Sequence, residues 1–394
     1  MRSRRSCRSA APTPLIGPVS RTRSTADRIV RLVERLYLDL FAWIQLTRAR
    51  LGRPGSEPHI RAYQALRAAV SAERVLVPLS SMHYMELLNV QSPHQRAAVA
   101  LTMDELSNYV TLTPREVLIG HELRRSMARV FGRAFDAYPP SPLGHGVGHA
   151  FGRPGRMAMR GPADQLQQWA AGTSSDTIRQ LEELAGYGWR YRAASTGDPL
   201  ERVQDAIARA TEFGMLRGPG DDDLPHAREL GYDPGRAAAI VENIRTREAE
   251  LAAYLKVEPA TPERLAEYIS ARAWVWDLGD DWNAALADVG LGGMTIEEVG
   301  RERIHAVVAG VPIVVVESAV RQGRFRNGQY RWGRNDIFDI GFIGHAVVYC
   351  DAVLTDKDVR RHVIDRGVAT RFGTRMLRRL DDLLDWLGPS GAAP

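Results

Sequence analysis

Strand and helix patterns alternate along the first third of this chain, and no other feature of the sequence constrains its fold as tightly. Leu36-Tyr37-Leu38-Asp39 is a short apolar run ending in an acid, and residues 41–51 follow with apolar side chains at helical spacing (Phe41, Ile44, Leu51). Residues 57–74 predict a second helix and residues 75–79 a short buried strand. Ser80 and Ser81 offer an N-cap to a helix carrying Met82, Met85, Glu86 and Leu87. Residues 93–107 are again helical, and residues 109–113 are β-branched and short, a third strand. Thr113-Pro114-Arg115-Glu116 has the form of a capping box with proline at the first helical position, opening a helix that runs to Phe131. Strands and helices in this order predict a parallel sheet covered by helices.

The middle of the chain breaks the pattern. Residues 132–162 are rich in Gly, Pro and His, which marks a loop or a boundary. Residues 164–307 carry long helical patterns, at 177–194, 199–216, 234–255 and 262–289, and no convincing strand. The alternation then returns: a helix from 312 to 322, another opened by Asn335-Asp336-Ile337-Phe338-Asp339, and a strand over 347–355 interrupted at Cys350-Asp351. A helix at 356–366, a strand at 374–377 and a helix at 379–387 complete it. At roughly 150 residues per domain, 394 residues predict two or three compact units. The economical organisation is a basic disordered tail (1–26), an α/β domain in two parts (27–130 and 312–390) and a helical insertion (131–311).

Charge narrows the function less than it first suggests. The net charge is +5, but residues 1–26 hold six arginines and no acid, so residues 27–394 sum to −1. Of 52 basic residues only Lys256 and Lys357 are lysine, a skew that reflects genome composition more than phosphate contacts. Two cysteines are too few for a disulfide framework or a zinc site. The longest apolar stretch, residues 304–316, is 13 residues with His305 and Pro312 inside it, short of the roughly 20 that span a bilayer. The N-terminal tail has no apolar core of a secretory signal. The expectation is a cytoplasmic protein.

Carboxylates recur where predicted strands end or the following helices begin: Asp39, Glu86, the pair Asp336 and Asp339, and the pair Asp351 and Asp356. In open parallel sheets that edge is where ligands bind. Acids gathered in one cleft raise one another's pKa, and a hard divalent cation with oxygen ligands removes the repulsion. Taken singly, Asp39, Asp336, Asp339 and Asp356 also suit N-caps, each contributing about 1 kcal/mol. Both readings stay open at this point.

These segments resemble the PIN-domain family of metal-dependent ribonucleases. Leu36-Tyr37-Leu38-Asp39 with Trp43 and Leu46 is similar to that family's opening strand and helix, and Val77-Pro78-Leu79-Ser80 with Glu86 to the segment carrying its helical acid. Asn335-Asp336 with residues 339–345, then residues 349–356, resemble its two C-terminal motifs, and residues 371–375 its closing turn and strand. The resemblance covers about 27–130 and 312–390. It implies a three-layer α/β domain with a parallel sheet, four core acids (Asp39, Glu86, Asp339 and Asp356) holding Mg²⁺ or Mn²⁺, and hydrolysis of RNA phosphodiesters by activated water. Asp336 and Asp351 are second choices as ligands. The sequence departs from the pattern in placing Leu40 after the first acid and Asp356 directly after Thr355. Toxin members of the family further imply a cognate inhibitor protein.

Arg321, Arg324, Arg326, Arg331 and Arg334 share 14 residues with Phe325, Tyr330 and Trp332 and no acid. Arginines contact phosphates and aromatic rings stack on unpaired bases, so Arg324, Arg326, Arg331, Trp332 and Arg334 are candidates to lead RNA into the site. A solvated loop is the alternative. Gly144-His145-Gly146-Val147-Gly148-His149 lacks the strand and glycine spacing of a dinucleotide site and reads as a hinge. Trp274, Trp276 and Trp282 read as one helix packing an aromatic face. Two rivals to a nuclease remain: a non-catalytic PIN-like module binding RNA or protein, and a metal-dependent phosphohydrolase of small phosphate esters.

Overall fold

The computed structural model describes residues 33–153, 199–222, 224–229, 233–257 and 260–388. The tail at 1–26 and the helix expected at 177–194 lie outside them. Four parallel strands form the central sheet: β1 (Glu34–Leu38), β2 (Val75–Leu76), β5 (Ala352–Leu354) and β6 (Arg375–Leu377), in the order β2-β1-β5-β6. β1 therefore lies against a strand from the far end of the chain, with Leu36, Tyr37 and Leu38 opposite Ala352, Val353 and Leu354. The two parts of the α/β domain expected from the sequence join in one sheet.

Beyond β2, β3 (Val110–Leu112) adds to the sheet through a single parallel bridge at Leu79: Leu79 N–H donates to Val110 O at 2.9 Å and Leu112 N–H to Leu79 O at 2.7 Å. Pro78 has no N–H to give a ladder, which is why the predicted strand at 75–79 is regular only over its first two residues. β4 (Leu143–His145) pairs antiparallel with β3, so part of the Gly- and His-rich segment belongs with the sheet rather than with the helical insertion.

Alternation along the strands sends side chains to two cores. Leu36, Leu38, Ala352, Leu354 and Leu377 face the helices Leu40–Arg50, Glu57–Ser71, Pro93–Ser107 and Asp382–Leu387. Tyr37 and Val353 face the opposite layer, built from Pro312–Arg326, Arg334–Tyr349 and Lys357–Asp365. The result is a three-layer α/β arrangement. Within the second layer, a Cβ at Gly344 would stand 2.7 Å from Ile313 Cγ2, so glycine is what lets helix Arg334–Tyr349 pack closely on Pro312–Arg326.

Local pattern misleads in three places. The segment expected as a strand at 347–355 is helical to Tyr349, and only Ala352–Leu354 is extended. Helix Arg334–Tyr349 is apolar almost all round and buried, so its β-branched end (Val347, Val348) carries no period to separate helix from strand. No capping box forms at Thr113: Pro114 holds the N-cap position, and the Thr113 hydroxyl donates instead to Ser141 O at 2.5 Å. The helix expected over 262–289 is two, Pro262–Arg272 and Gly279–Asp288, joined by a π-turn at Ala273–Asp277. Across that break Trp274 and Trp282 still pack edge to face, 5.8 Å between ring centres, and Trp276 turns elsewhere. Trp282 is buried, while Trp276 is 40% exposed under the Arg272 guanidinium.

The described residues from Val33 onward cluster as one compact unit, and buried ion pairs help to explain it. Glu248, on Pro234–Val257, accepts from Arg272 at 2.7 Å and from Arg321 at 3.1 Å. Arg115 and Arg321 both bond Glu317, and Asp277 lies beside Arg115, Arg272 and Arg321. Three arginines and three acids balance in a buried network that spans the α/β layer and the inserted helices. Burial favours the neutral form of Asp277, yet the three guanidiniums hold its pKa down to about 2. No single helix among the described residues is long and apolar enough to cross a membrane; the apolar stretch at 304–316 belongs to two helices bent by 96°.

Candidate metal centre

The β1–β5 register places the first acid. Asp39 follows Leu38 and its N–H donates to Leu354 O at 3.0 Å, extending the ladder by one residue beside Thr355 and Asp356. It occupies the N-cap position of Leu40–Arg50, but its carboxylate makes no cap hydrogen bond; it accepts from the Thr355 hydroxyl at 3.0 Å. Capping therefore does not account for Asp39. Asp356 does cap its helix, taking the N–H groups of Asp358 (2.6 Å) and Val359 (3.0 Å) on one oxygen, which leaves the other available.

Asp339 arrives from the second turn of Arg334–Tyr349. Ligand oxygens of Asp39, Asp339 and Asp356 all lie within 4.8 Å of one another. Full charges at that spacing repel by about 3 kcal/mol or more per pair at an effective dielectric near 20. Glu86, on Ser81–Leu87, borders this triad closely enough for Asp39 and Asp339 to act on it, but is outside the group of three. Asp39 is 7% exposed and the other two are half-buried, so the cluster opens to the surface on one side.

The cluster's electrostatics follow from burial and like charge. Burial raises the Asp39 pKa to about 6, with the Thr355 hydroxyl working against it and the Asp356 charge adding to it. Burial likewise lifts Asp339 to about 7; Arg324 opposes the rise, and Asp356 and Asp39 reinforce it. Glu86 is pushed well up by burial and then by Asp39 and Asp339. Arg324 Nη2, 2.7 Å from Asp339, is the cation bonded directly to the triad.

Other sequence candidates lie elsewhere or serve differently. Asp351 stands at the opposite end of β5, where its carboxylate accepts from Arg35 N–H at 2.9 Å; it cannot substitute for Asp356. Asp336 closes the N-terminus of its helix, accepting from Gly333 N–H at 2.6 Å and the Tyr330 hydroxyl at 2.5 Å, and pairs with Arg324 at 3.2 Å. Arg324 and Trp332, expected on an RNA-facing surface, are 2% and 6% exposed. Arg326, Arg331 and Arg334 are exposed, and Arg334 reaches Glu242 at 3.2 Å. Sequence gives no sign of the Arg324–Asp339 pairing, because nothing in a local pattern links the end of one helix to the second turn of the next.

A cluster of acids with raised pKa values has a measurable consequence. An acid that binds its proton more tightly folded than unfolded makes the fold less stable as pH climbs through the folded pKa. In EDTA, the melting temperature is expected to fall from pH 6.5 to pH 8, with a shallower slope in Asp339→Asn. Buried His83 (about 4) and His345 (about 3) act in the opposite sense at the lower end of this window, where unfolded histidines still hold protons; they are common to both proteins, so their effect cancels in the comparison of slopes. Glu122, raised by burial to about 7, and the likewise raised Glu86 and Asp39 contribute the slope that remains in the variant. Equal slopes in the two proteins would show that Asp339 does not titrate in this window.

Three oxygen donors with neither imidazole nor thiolate suit a hard divalent cation. No family model, curated protein or solved structure matches the chain.

Proposed function

We propose that this chain is a PIN-like, divalent-metal-dependent nuclease that hydrolyses phosphodiester bonds of single-stranded RNA. The observation that carries the reading is the convergence of Asp39, which follows the sheet's first strand, with Asp339 and Asp356, about 300 residues later, onto one opening at the carboxyl edge of the sheet. Asp39, Asp339 and Asp356 would hold Mg²⁺ or Mn²⁺, with Glu86 at the border of the site. When bound, such a cation supplies acidification of water and charge stabilisation at phosphate oxygens.

The remaining roles belong to the chain. Thr355 orients the Asp39 carboxylate through its hydroxyl hydrogen bond. Asp356 is fixed by the first N–H groups of its own helix, and Asp339 by the Arg324 guanidinium. Arg324 is itself anchored, donating to Asp336 O at 2.9 Å. Arg326 and Arg331 are exposed and add positive charge to the surface.

The test is turnover by the purified full chain with Mn²⁺ or Mg²⁺. Mixed-sequence single-stranded RNA is expected to be cleaved, with no cleavage in EDTA. Hydrolysis of p-nitrophenyl phosphate with RNA left intact would replace the reading with a small-ester phosphohydrolase. No turnover of either substrate would leave a binding module.

A further inference from the structure

Beside the acid triad is a cavity of about 530 Å³ to which the proposed chemistry gives no role. One wall comes from the inserted helices, at the end of Pro234–Val257 and the start of Pro262–Arg272, and carries Lys256. The other comes from the end of Pro312–Arg326 and the segment after it, and carries Arg324, Arg326, Phe325, Tyr330 and Trp332. Among the described residues, three cations and three aromatic rings line it and no carboxylate does. Clefts that enclose small molecules start at roughly 300 Å³, so there is room for one planar ring system with its sugar.

The aromatic wall is already ordered. Trp332 stands 5.0 Å from Phe325 and 5.8 Å from Tyr330, ring centre to ring centre, and the Arg324 guanidinium lies 5.7 Å from the Tyr330 ring. Trp332 is buried and locked, whereas Phe325 and Tyr330 are half-buried and keep surface for a ligand. Arg324 belongs to both places: it lines the cavity and bonds Asp339 at 2.7 Å. A ligand here meets aromatic surface for a π-system and positive charge for an anion, within one side chain of the acid triad.

We infer that this cavity holds one nucleotide of the single strand, its base against the aromatic wall and its phosphate towards Lys256 and Arg326. The inference rests on reading the triad as a phosphodiester site. It gives the inserted helices a part in binding the substrate, through Lys256. Stacking on such platforms tolerates any base and accounts for about fivefold to a hundredfold in affinity per aromatic residue.

Titration calorimetry in EDTA at pH 6.5 tests this apart from catalysis, with AMP, adenosine, inorganic phosphate and penta-adenylate as probes. AMP is expected to bind more tightly than adenosine or phosphate, and penta-adenylate at least as tightly as AMP. Lys256→Glu, at an exposed position where folding is not at risk, is expected to weaken both by at least about fivefold, and Tyr330→Ala likewise. Circular dichroism identifies any Tyr330→Ala protein that has not folded, and Lys256→Glu then decides. Equal binding of phosphate and AMP, binding indifferent to Lys256→Glu, or AMP binding without the pentamer would each overturn the inference. Metal-dependent cleavage with no nucleotide binding would sink the cavity alone. Lys256-dependent binding in a protein without cleavage would sink the nuclease reading and leave the cavity standing.

Discussion

Asp39→Asn and Asp339→Asn are each expected to reduce metal-dependent RNA cleavage by more than about 100-fold, beyond the loss that changes around a metal's ligands usually bring. Both substitutions keep shape and remove charge, so a folding defect is not the anticipated cause. In the metal-free protein they should do the reverse of harm. Asp39 is buried with two other carboxylates within 4.8 Å, and taking one charge away relieves repulsion that water screens poorly. The expected pair of results is therefore lost turnover with a melting temperature in EDTA at pH 8 that is unchanged or higher. A structural role for Asp39 predicts the opposite pair, a lower melting temperature and turnover reduced only in proportion. Assays against single-stranded RNA, beside thermal melts of the same preparations, separate the two.

The second large effect concerns stability. Glu248→Ala leaves Arg272 and Arg321 buried with less negative charge than they need, since Glu248 bonds both. Removing one partner of a buried ion pair typically costs about 3–5 kcal/mol, because the charge left behind is neither solvated nor matched. Urea unfolding should show that loss as a lower midpoint. Arg321→Met on top of Glu248→Ala is expected to recover part of it, since the double variant removes a cation together with its anion. A loss below about 1 kcal/mol in Glu248→Ala, far under the range for a buried pair, would mean that water reaches the network and that it does not tie the inserted helices to the sheet.

Much of the site could be read from sequence because its acids follow recognisable local events. Asp39 ends an apolar run and Asp356 precedes a helix, and both features survive in the structure as a ladder extension and a true cap. Choosing Asp356 over Asp351 required the strand's actual limits. Ala352–Leu354 is only three residues long, and those three put the two aspartates at opposite edges of the sheet. The helix through Asp339 was legible at its polar start and illegible at its buried end, where apolar residues on every face erase periodicity.

Tertiary pairings left no local trace. Arg324 looked like a phosphate contact because it lies among arginines and aromatics, yet folding buries it against Asp339 and Asp336. The buried network of Arg115, Arg272 and Arg321 with Glu248, Asp277 and Glu317 is the larger case. Its members come from the helices Arg115–Val130, Pro234–Val257, Pro262–Arg272 and Pro312–Arg326 and from the π-turn at Ala273–Asp277. No periodicity within any one of these segments announces its partner in another, so charges that read as solvated helix faces turn out to be buried and matched.

The most direct measurement is titration of Mn²⁺ into the metal-free full chain at pH 7 by calorimetry, in two buffers of different ionisation enthalpy. Raised carboxyl pKa values mean that a cation must displace protons on binding. The expected result is saturable binding with net proton release, tighter at pH 8 than at pH 6.5, and abolished or strongly weakened in Asp39→Asn. No saturable heat with millimolar Mn²⁺, or binding that Asp39→Asn leaves unchanged, would contradict the cation site and the nuclease built on it.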